Sequence, residues 1–421
     1  MTRSVDIGAA LRSWMEADAS GAAPDDLLAT VLTRTAATRQ RPGWMPGLEL
    51  PASPILAPRL VLLALVVLLV AAMAGALIVG RTPTVPTSVE NGLIAVVGFD
   101  AASALDIYLV DPDGGAVTRV TDTPDPESRL TWSPDGTRLA FVRELDQGDA
   151  VPSGVDCEAD PAACERGAQS ESAIVVSAPT GGTERVVYQS VGVIHSLGWS
   201  PDGRSLSFVN ERAGGLFILD VASRSAQLVF EGSVEGADWA PDGTRLATNT
   251  WTDASDADIY LAFPDGREPI KLTSQPGFET SPIWSPDGRR IAFTVDPDGT
   301  GHGGRIEVIT ADGTGRSVLA EDAHSPAWAR DGGHFAFVRT FDDLSGRSDE
   351  LWVMGSDGTG QRKLADKGSR PRWSPDGALI YWLGDGVAWS IRPDGSELTM
   401  LLSGEMWLGA GWGFDWQAVR P

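Results

Sequence analysis

Trp132-Ser133-Pro134-Asp135-Gly136 is the stretch to which this sequence keeps returning. Ser-Pro-Asp-Gly suits a type I turn, because Pro presets φ at the second position and Gly is favoured at the fourth. Runs of strand-forming residues lie on either side of such turns, for example Leu139-Ala-Phe-Val142 and Leu216-Phe-Ile-Leu219. The pentapeptide therefore predicts a strand, a tight turn and a second strand.

The spacing of the motif decides the fold class. Its Trp recurs at intervals of 67, 40, 45, 44, 45 and 43 residues. Self-similarity at about 40–45 residues is typical of propellers and solenoids. Four short strand-like runs fall in each period, so the pattern predicts an all-β propeller. The Trp residues expected to be structural in its blades are Trp132, Trp199, Trp239, Trp284, Trp328, Trp373 and Trp416.

The repeats resemble the WD40-like Asp-Gly repeats of TolB-type β-propellers, and the resemblance covers residues 92–417. The motif is specific, because five copies keep Trp, Pro, Asp and Gly, and the copy at Trp328 lacks only the Pro. The resemblance implies four-stranded blades around a channel, with the Trp near the end of each innermost strand.

The strand pattern predicts a seven-bladed β-propeller, with six blades as the alternative because TolB has six. The first unit, which starts at Gly92-Leu-Ile-Ala-Val-Val97, has no Trp strand before it, and Trp412-Gly-Phe-Asp-Trp416 has no unit after it. We therefore expect the last strand to complete the first unit. Such closure removes the exposed sheet edge that an open ring would leave.

Three segments are predicted before the propeller. Leu60–Gly80 is a run of 21 residues without a charge, flanked by Arg59 and Arg81. Its length matches the ~20 residues that a transmembrane helix needs. Residues 1–58 are predicted to form a weakly helical cytoplasmic tail, and residues 81–91 a stiff Pro/Thr linker.

The arginines predict how the chain is oriented. More of them precede the apolar run than follow it closely, so the positive-inside rule predicts a cytoplasmic N-terminus and an extracytoplasmic propeller. A cleaved signal peptide is the alternative, although the apolar core of such a peptide is typically ~7–15 residues. The chain is thus predicted to be a single-pass protein of the plasma membrane.

The formal net charge of −24 lies entirely beyond residue 59, because the first 59 residues are balanced. A strongly acidic domain repels phosphate backbones. We therefore expect no nucleic acid among the partners. Repeated Asp-Gly turns account for much of the charge.

The only two cysteines, Cys157 and Cys164, lie in an insertion at about Leu145–Ser170. No His is near them, so they do not fit a zinc site with the usual ligands. Outside the membrane we expect a local disulfide, which would stabilise the loop by about 2–3 kcal/mol on the chain-entropy model. Free surface thiols are the alternative.

The sequence lacks the common catalytic motifs. Gly198-Trp-Ser-Pro-Asp202 comes nearest to a nucleophile elbow, but its last residue is wrong. Neither a phosphate-binding loop nor a His-Glu-x-x-His pattern is present. We predict no enzymatic activity, no cofactor and no metal, and we keep an enzyme that uses the channel mouth as an alternative.

One end of the propeller is predicted to bind the partner. His195 and His324 each lie four residues before a blade Trp, at equivalent positions on different inner strands. The loops at this end are unlike one another, whereas the opposite end carries the repeated tight turns. Function concentrates on variable loops held by a rigid frame. The predicted partner face comprises Arg129, His195, Glu235, Thr280, His324, Arg370 and Trp407.

These features predict a membrane-anchored scaffold that binds a protein or another component of the cell envelope. A transmembrane sensor is the first alternative, with the propeller as ligand domain and the tail as signalling segment. That layout resembles membrane-bound anti-sigma factors. The tail, however, has no His and no Cys, which anti-sigma factors of the zinc-binding type require.

The predicted orientation can be tested by proteolysis. Protease added outside intact cells or spheroplasts should degrade residues 92–417 and spare residues 1–58, because only the propeller is expected to face outward. Immunoblots against tags at the two ends measure the outcome, and detergent-permeabilised cells, where both ends are digested, serve as the control. A protected propeller would contradict the orientation.

Overall fold

The computed structural model of the chain describes residues 90–419, with breaks at 100–104, 114–115, 146–170, 180–181, 254–255, 298, 300–303, 344–345, 385–386, 402–406 and 409–412. The predicted tail 1–58, helix 60–80 and pair Cys157 and Cys164 lie outside the described residues, as does most of the linker. Within the described ranges, no helix is long and apolar enough to cross a membrane.

The regular elements in the described residues are all β-strands. In chain order they are β1 Glu90–Phe99, β2 Asp106–Val110, β3 Val117–Arg119, β4 Glu127–Trp132, β5 Leu139–Leu145, β6 Glu171–Ser177, β7 Arg185–Val191, β8 Ile194–Trp199, β9 Ser205–Asn210, β10 Gly215–Asp220, β11 Ser225–Glu231, β12 Val234–Trp239, β13 Leu246–Asp253, β14 Asp256–Ala262, β15 Ile270–Lys271, β16 Phe278–Trp284, β17 Arg290–Asp296, β18 Arg305–Thr310, β19 Ser317–Glu321, β20 Ala323–Trp328, β21 His334–Asp343, β22 Gly346–Gly355, β23 Arg362–Ala365, β24 Ser369–Trp373, β25 Ile380–Gly384, β26 Val387–Ile391, β27 Thr399–Met400, β28 Trp407–Leu408 and β29 Phe414–Val419.

Most of these strands form antiparallel sheets of four consecutive strands. Strands β4 to β7, β8 to β11, β20 to β23 and β24 to β27 are each ordered as in the chain. Strands β12 to β19 belong to one eight-stranded sheet, because a single parallel bridge between Ala257 and Phe278 joins β14 to β16. The architecture is the all-β propeller arrangement that the repeats predict. The strands that carry the repeat Trp residues, here called the inner strands, are β4, β8, β12, β16, β20, β24 and β29.

The repeated motif forms the predicted tight turn. Gly136 N donates to Ser133 O at 2.8 Å, and Gly136 takes a φ of 68°, which favours glycine. Ser133 Oγ donates to Asp135 Oδ1 at 2.6 Å, and Thr137 N donates to the same oxygen at 3.1 Å. Partial burial opposes ionisation of Asp135, but these hydrogen bonds outweigh it and lower its pKa to about 2. The same Ser–Asp hydrogen bond recurs at Ser200 and Asp202, Ser285 and Asp287, and Ser374 and Asp376.

The apolar core lies between the sheets. In one cluster, Trp199 and Phe208 of one sheet pack against Val142 and Ile174 of the sheet before it in the chain. Equivalent clusters combine residues from the other neighbouring pairs of sheets. Both faces of each sheet are therefore covered by apolar contacts.

An arginine reinforces several junctions between sheets. It lies six residues after the Trp of one motif, and its guanidinium stacks on the Trp of the next motif. Such a cation–π contact stabilises by about 0.5–2 kcal/mol. The observed pairs, with the distance from Cζ to the ring centroid, are Arg138 and Trp199 at 4.5 Å, Arg245 and Trp284 at 4.9 Å, and Arg290 and Trp328 at 5.0 Å.

The last inner strand completes the first sheet, as the sequence predicts. Strand β29 pairs antiparallel with β1, with Trp416 opposite Ile94. Trp416 Nε1 donates to Gly92 O at 3.1 Å, and Gln417 Nε2 donates to Gly136 O at 2.7 Å. This sheet also packs against the sheet β24 to β27, so the sheets close on themselves. The residues of that junction are Ile94, Val96, Tyr108, Val110, Tyr381, Ala388, Leu401 and Trp416.

Loss of the closing strand should unfold the whole domain. Deletion of residues 411–421 removes β29 and should abolish cooperative unfolding, because β1 loses its inner-strand partner. Trp416→Ala, at a side chain that is 7% exposed, should lower the free energy of unfolding by about 3–5 kcal/mol. The control is Trp251→Ala, where the ring is 39% exposed and the cost should be much smaller. Urea denaturation followed by circular dichroism measures both, and equal losses would contradict the closure.

Candidate functional site

The structure places the predicted face residues at one end of the inner strands. Arg129, His195, Glu235, Thr280, His324 and Arg370 lie three or four residues before the motif Trp, at the end away from the Ser-Pro-Asp-Gly turns. We call this end the mouth end. Trp407 lies in β28, where it pairs with Phe99 of β1.

A β-bulge shapes the mouth end of six inner strands, namely β4, β8, β12, β16, β20 and β24. The pairing register with the next strand shifts here, for example between His195 and Leu197. A bulge bends its strand and redirects side chains. The third residue before the Trp adopts a left-handed backbone on most inner strands. These residues are Arg129 (φ 52°), Ser196 (47°), Ser281 (53°), Ser325 (52°), Arg370 (50°) and Gly413 (120°).

Arg129 and His195, on neighbouring inner strands, come together. Arg129 Nη2 lies 3.5 Å from His195 Nδ1, and His195 Nε2 lies 2.9 Å from Glu211 Oε1. A guanidinium only donates hydrogen bonds, so Nδ1 is the acceptor in this contact. The His195 ring thus lies between a cation and an anion.

Arg129 also lies close to a second arginine. Burial lowers the pKa of the Arg129 guanidinium, and the positive charge of Arg370 lowers it further, while Glu144 has the opposite effect. Arg370 belongs to β24 and Arg129 to β4, so only β29 separates them in the order of inner strands. The mouth end therefore holds two neighbouring cations in a protein with a net charge of −24.

His324 lies apart from these arginines. Its Nδ1 is 2.9 Å from Ser325 Oγ, and its Nε2 is 3.2 Å from Thr340 Oγ1. A cavity of about 210 Å³ opens beside it, between two neighbouring sheets. The cavity is lined by Thr294, Asp296, Gly304, Asp322, Ala323, His324 and Thr340.

Glu235 and Thr280 make local contacts. Glu235 Oε2 accepts a hydrogen bond of 3.2 Å from Asn249 Nδ2 on the adjacent strand, and Thr280 lies opposite Thr294 in the sheet. The residues of the predicted face therefore form several small groups of side chains. The group around Arg129 is the most strongly charged of them.

A second polar layer, which was not predicted from the sequence, is formed by residues directly before the motif Trp. Asp238 Oδ2 accepts a hydrogen bond of 2.7 Å from Trp284 N, on the next inner strand. Asp415 Oδ2 accepts one of 2.8 Å from Trp132 N in the same way. These carboxylates tie neighbouring inner strands together. Asp before the Trp, which only these two copies have, is the signal that could have predicted them.

The positive charge of one arginine, Arg372, acts on both carboxylates. Burial raises the pKa of Asp238 to about 6 and also raises the pKa of Asp415, whereas the positive charge of Arg372 opposes both shifts. Arg372 is itself the residue before a motif Trp. Its positive charge lowers the pKa of Asp415, on the next inner strand, and the pKa of Asp238, three inner strands away. The charge of Arg372 therefore lies near the axis around which the inner strands are arranged.

The described residues hold no cluster of three or more His, Cys, Asp or Glu side chains that could bind a metal ion. The mouth end presents charged and hydrogen-bonding side chains. Together with the sheet architecture, these side chains define an all-β propeller protein with a polar mouth.

Comparisons with known proteins bear on the predicted resemblance. Residues 163–317 match the family model described as TolB beta propeller domain (PD40). An uncharacterized protein of Agrobacterium fabrum is 28% identical over 258 residues, which cover 53% of this chain and 87% of that protein. The TolB homolog of Chlorobium luteolum is 38% identical over 97 residues, 22% of each chain. These matches confirm the predicted resemblance, and the chain carries a TolB-like β-propeller.

The fold is shared more widely than the family. The oligogalacturonate lyase of Vibrio parahaemolyticus superposes with a TM-score of 0.52 at 12% identity, covering 75% of this chain and 87% of that one. At this identity the likeness shows the fold alone, and proteins of this fold include enzymes. The chain spans only about a quarter of the length of the curated TolB proteins that it matches.

The raised pKa of Asp238 predicts a pH-dependent stability. Folding raises this pKa from 3.8 to about 6, so the folded protein binds the extra proton. The stability that this group contributes is greatest below pH ~4 and is lost as pH rises to ~6, by about 3 kcal/mol. Asp238→Asn keeps the acceptor for Trp284 N but removes the charge. Relative to wild type, it should gain stability between pH 4.5 and 7.5.

The control for this measurement is Asp135→Asn, at a turn residue whose pKa is lowered to about 2. This variant should lose stability relative to wild type as pH rises from about 2 to about 4, the opposite sign. Thermal denaturation at a series of pH values gives both differences. A pH-independent difference for Asp238→Asn would contradict the assignment.

Proposed function

We propose that the chain is a membrane-anchored, extracytoplasmic β-propeller whose mouth end binds a protein or another envelope component. The TolB-like family supports a binding role in the envelope. One of its members among the matches is the Tol-Pal system protein TolB of Anaeromyxobacter dehalogenans, 32% identical over 107 residues.

The contrast between the two ends of the inner strands carries the proposal. At one end the chain repeats the same Ser–Asp hydrogen-bonded turn. At the mouth end, the third or fourth position before the motif Trp carries Arg129, His195, Glu235, His324 or Arg370, and the contacts of His195, Glu235 and His324 all differ. Such variation on a regular frame is typical of a recognition surface.

The insertion that contains the two cysteines also supports the mouth end as the binding surface. Strands β5 and β6 pair as far as Leu145 and Glu171, so the insertion leaves the sheet between its second and third strands. Connections of that kind leave the sheet at the mouth end, because inner strands run from the mouth end to the turns and the next strand runs back. We propose that Cys157 and Cys164 form a disulfide in a loop that borders the partner site.

Anchoring and orientation complete the proposal. The uncharged run Leu60–Gly80 serves as the membrane anchor, with residues 1–58 in the cytoplasm and the propeller outside. We further propose seven blades. Two observations support this number. Each predicted unit has one inner strand that carries a repeat Trp, and the eight-stranded sheet consists of two four-stranded units that a single bridge joins.

Site-specific photocrosslinking in cells tests which surface binds. A benzoylphenylalanine at Glu235, at the mouth end, should form adducts with a partner. The same probe at Asp242, exposed at the turn end of the same hairpin, should not. A third probe at Val318, 47% exposed on an outer strand, examines the rim. Adducts at Asp242 or Val318 without adducts at Glu235 would contradict the proposal.

A further inference from the structure

A pair of buried acids lies where the chain crosses from the first sheet to the second. This crossing, residues 120–126, connects β3 to β4 at the mouth end. Asp106 on β2 and Glu127 at the start of β4 are both 0% exposed. Glu127 N donates to Leu105 O at 2.7 Å, so the two strands meet at these acids. Five of the other six inner strands carry no acid at the position of Glu127, so the fold does not require one. The residues there are Ile194, Val234, Ala323, Gly368 and Gly411.

A single hydroxyl lies between the two acids. Thr121 Oγ1 is 3.2 Å from Asp106 Oδ1 and 2.9 Å from Glu127 Oε2. It also accepts the N–H of Ile107 at 2.8 Å. A hydroxyl has one hydrogen and two acceptor lone pairs, so Thr121 can donate to one of the two acids and not to both. The remaining contact becomes a hydrogen bond when the other carboxyl group carries a proton and donates it to Thr121.

The charges around the crossing also favour a proton. Two guanidinium groups contact four carboxylates, which leaves an excess of two negative charges when all four are ionised. The contacts are Arg119 Nη2 to Asp106 Oδ2 at 2.5 Å and to Asp122 Oδ1 at 2.8 Å, and Arg143 Nε to Glu127 Oε1 at 2.9 Å and Nη1 to Glu184 Oε2 at 2.8 Å. The other titratable residues on the surrounding elements are Tyr108 on β2, Asp125 in the crossing, Arg129 on β4 and Glu144 on β5. Their formal charges do not reverse the excess.

The pKa of Glu127 agrees with this charge balance. Burial raises it, because a carboxylate loses its hydration in the interior of the protein. Hydrogen bonds from Arg143, Thr123 and Thr121 oppose the shift, but the pKa stays above its ordinary value of 4.5.

A related arrangement recurs where the chain crosses from β15 to β16. Asp258, Thr273 and Glu279 have the same spacing in the sequence as the three residues of the first crossing. Ile259 N donates to Thr273 Oγ1 at 2.8 Å. Burial raises the pKa of Glu279, and the charge of Asp258 adds to the shift, whereas Thr273 and Arg316 oppose it. The buried acids thus belong to a repeated structural unit.

We propose that Glu127 keeps a proton at pH values at which an exposed glutamic acid is ionised, and that this proton holds the crossing 120–126 closed as a pH-sensitive device. The carboxyl O–H at Oε2 donates to Thr121 Oγ1, and Thr121 donates to Asp106 Oδ1. As pH rises, the proton passes to solvent, the two carboxylates compete for one hydroxyl hydrogen, and the crossing loosens. Arg129 follows two residues later, so the change reaches the predicted partner face. The inference goes beyond the proposed function, and its test needs no partner.

Hydrogen exchange of the purified full-length chain, followed by mass spectrometry, tests the device. The Ile107 amide donates to Thr121 Oγ1, so its protection depends on the closed crossing. Protection, measured against the unstructured rate at the same pH, should fall at least about tenfold between pH 5 and pH 8. Residues 206–209, whose amides pair within their own sheet, should change by less than about twofold. Constant protection of Ile107 over this range would overturn the proposal.

Glu127→Gln tests the position of the proton. Gln is neutral at every pH and can donate an amide N–H to Thr121 Oγ1, so it imitates the protonated acid. A raised pKa stabilises the wild type fully below the ordinary value of 4.5, and this contribution is lost as pH rises through the folded pKa. The melting temperature of the variant relative to wild type should therefore increase by about 2 °C from pH 5 to pH 8. A relative melting temperature that falls over this range would mean that Glu127 is ionised, and the proposal would be wrong.

The matched control is Glu184→Gln, which removes a carboxylate from the same guanidinium, that of Arg143, at a side chain that is 32% exposed. It leaves Glu127 and Thr121 in place. The protection of Ile107 should therefore still fall with pH, and the melting temperature should not increase relative to wild type. An increase equal to that of Glu127→Gln would refute the assignment of the proton to Glu127.

Discussion

Each sheet of this protein has two apolar faces, and that constraint determines the architecture. A four-stranded sheet cannot leave one such face in water, so every sheet needs a neighbour on both sides. Clusters such as the one that holds Trp199 and Phe208 occupy each junction. The first and last sheets would each lack a neighbour in an open row. Their contact through Ile94, Tyr381 and Trp416 is therefore as necessary as any pairing within a sheet.

The same constraint separates structural from functional residues along each inner strand. The Trp and the turn after it are fixed by packing and hydrogen bonds, so they repeat. The residue before the Trp faces the next inner strand, where Asp238 and Asp415 accept backbone hydrogen bonds. Side chains at the bulge and at the residue before it are released from these demands. The repeats therefore differ there, with Arg129 and Arg370 within the bulge and His195, Glu235 and His324 one position earlier in their repeats.

Much of the fold could be predicted from the sequence, because its determinants are local and repeated. The turn at Ser133 to Gly136, the burial of Trp132 and the pairing of β29 with β1 all followed from the motif and its period. Arg138 stacks on Trp199. Its fixed distance from the motif Trp before it in the chain could have predicted this contact, but no such prediction was made. Repetition makes such contacts visible, since one pattern specifies many junctions.

The candidate site was predicted less completely, because it depends on neighbours that are distant in the sequence. The sequence singled out Arg129, His195 and Arg370 by their position in the repeat, but not that Arg129 faces both of the others. His324 has the same offset as His195, yet its contacts are different. Neither the bulge nor the left-handed backbone has a sequence signature here, since Ser, Gly and Arg all occupy that position.

The pairing of β1 with β29 has a consequence for how the chain reaches its native state. The partners are more than 300 residues apart, so β1 leaves the ribosome long before β29 is made. At about 5–20 residues per second, that delay lasts some tens of seconds. Throughout it, β1 presents an apolar strand edge that can pair with another chain. Biogenesis of this domain therefore favours a chaperone or a nascent-chain contact that covers β1 until synthesis reaches the far end of the ring.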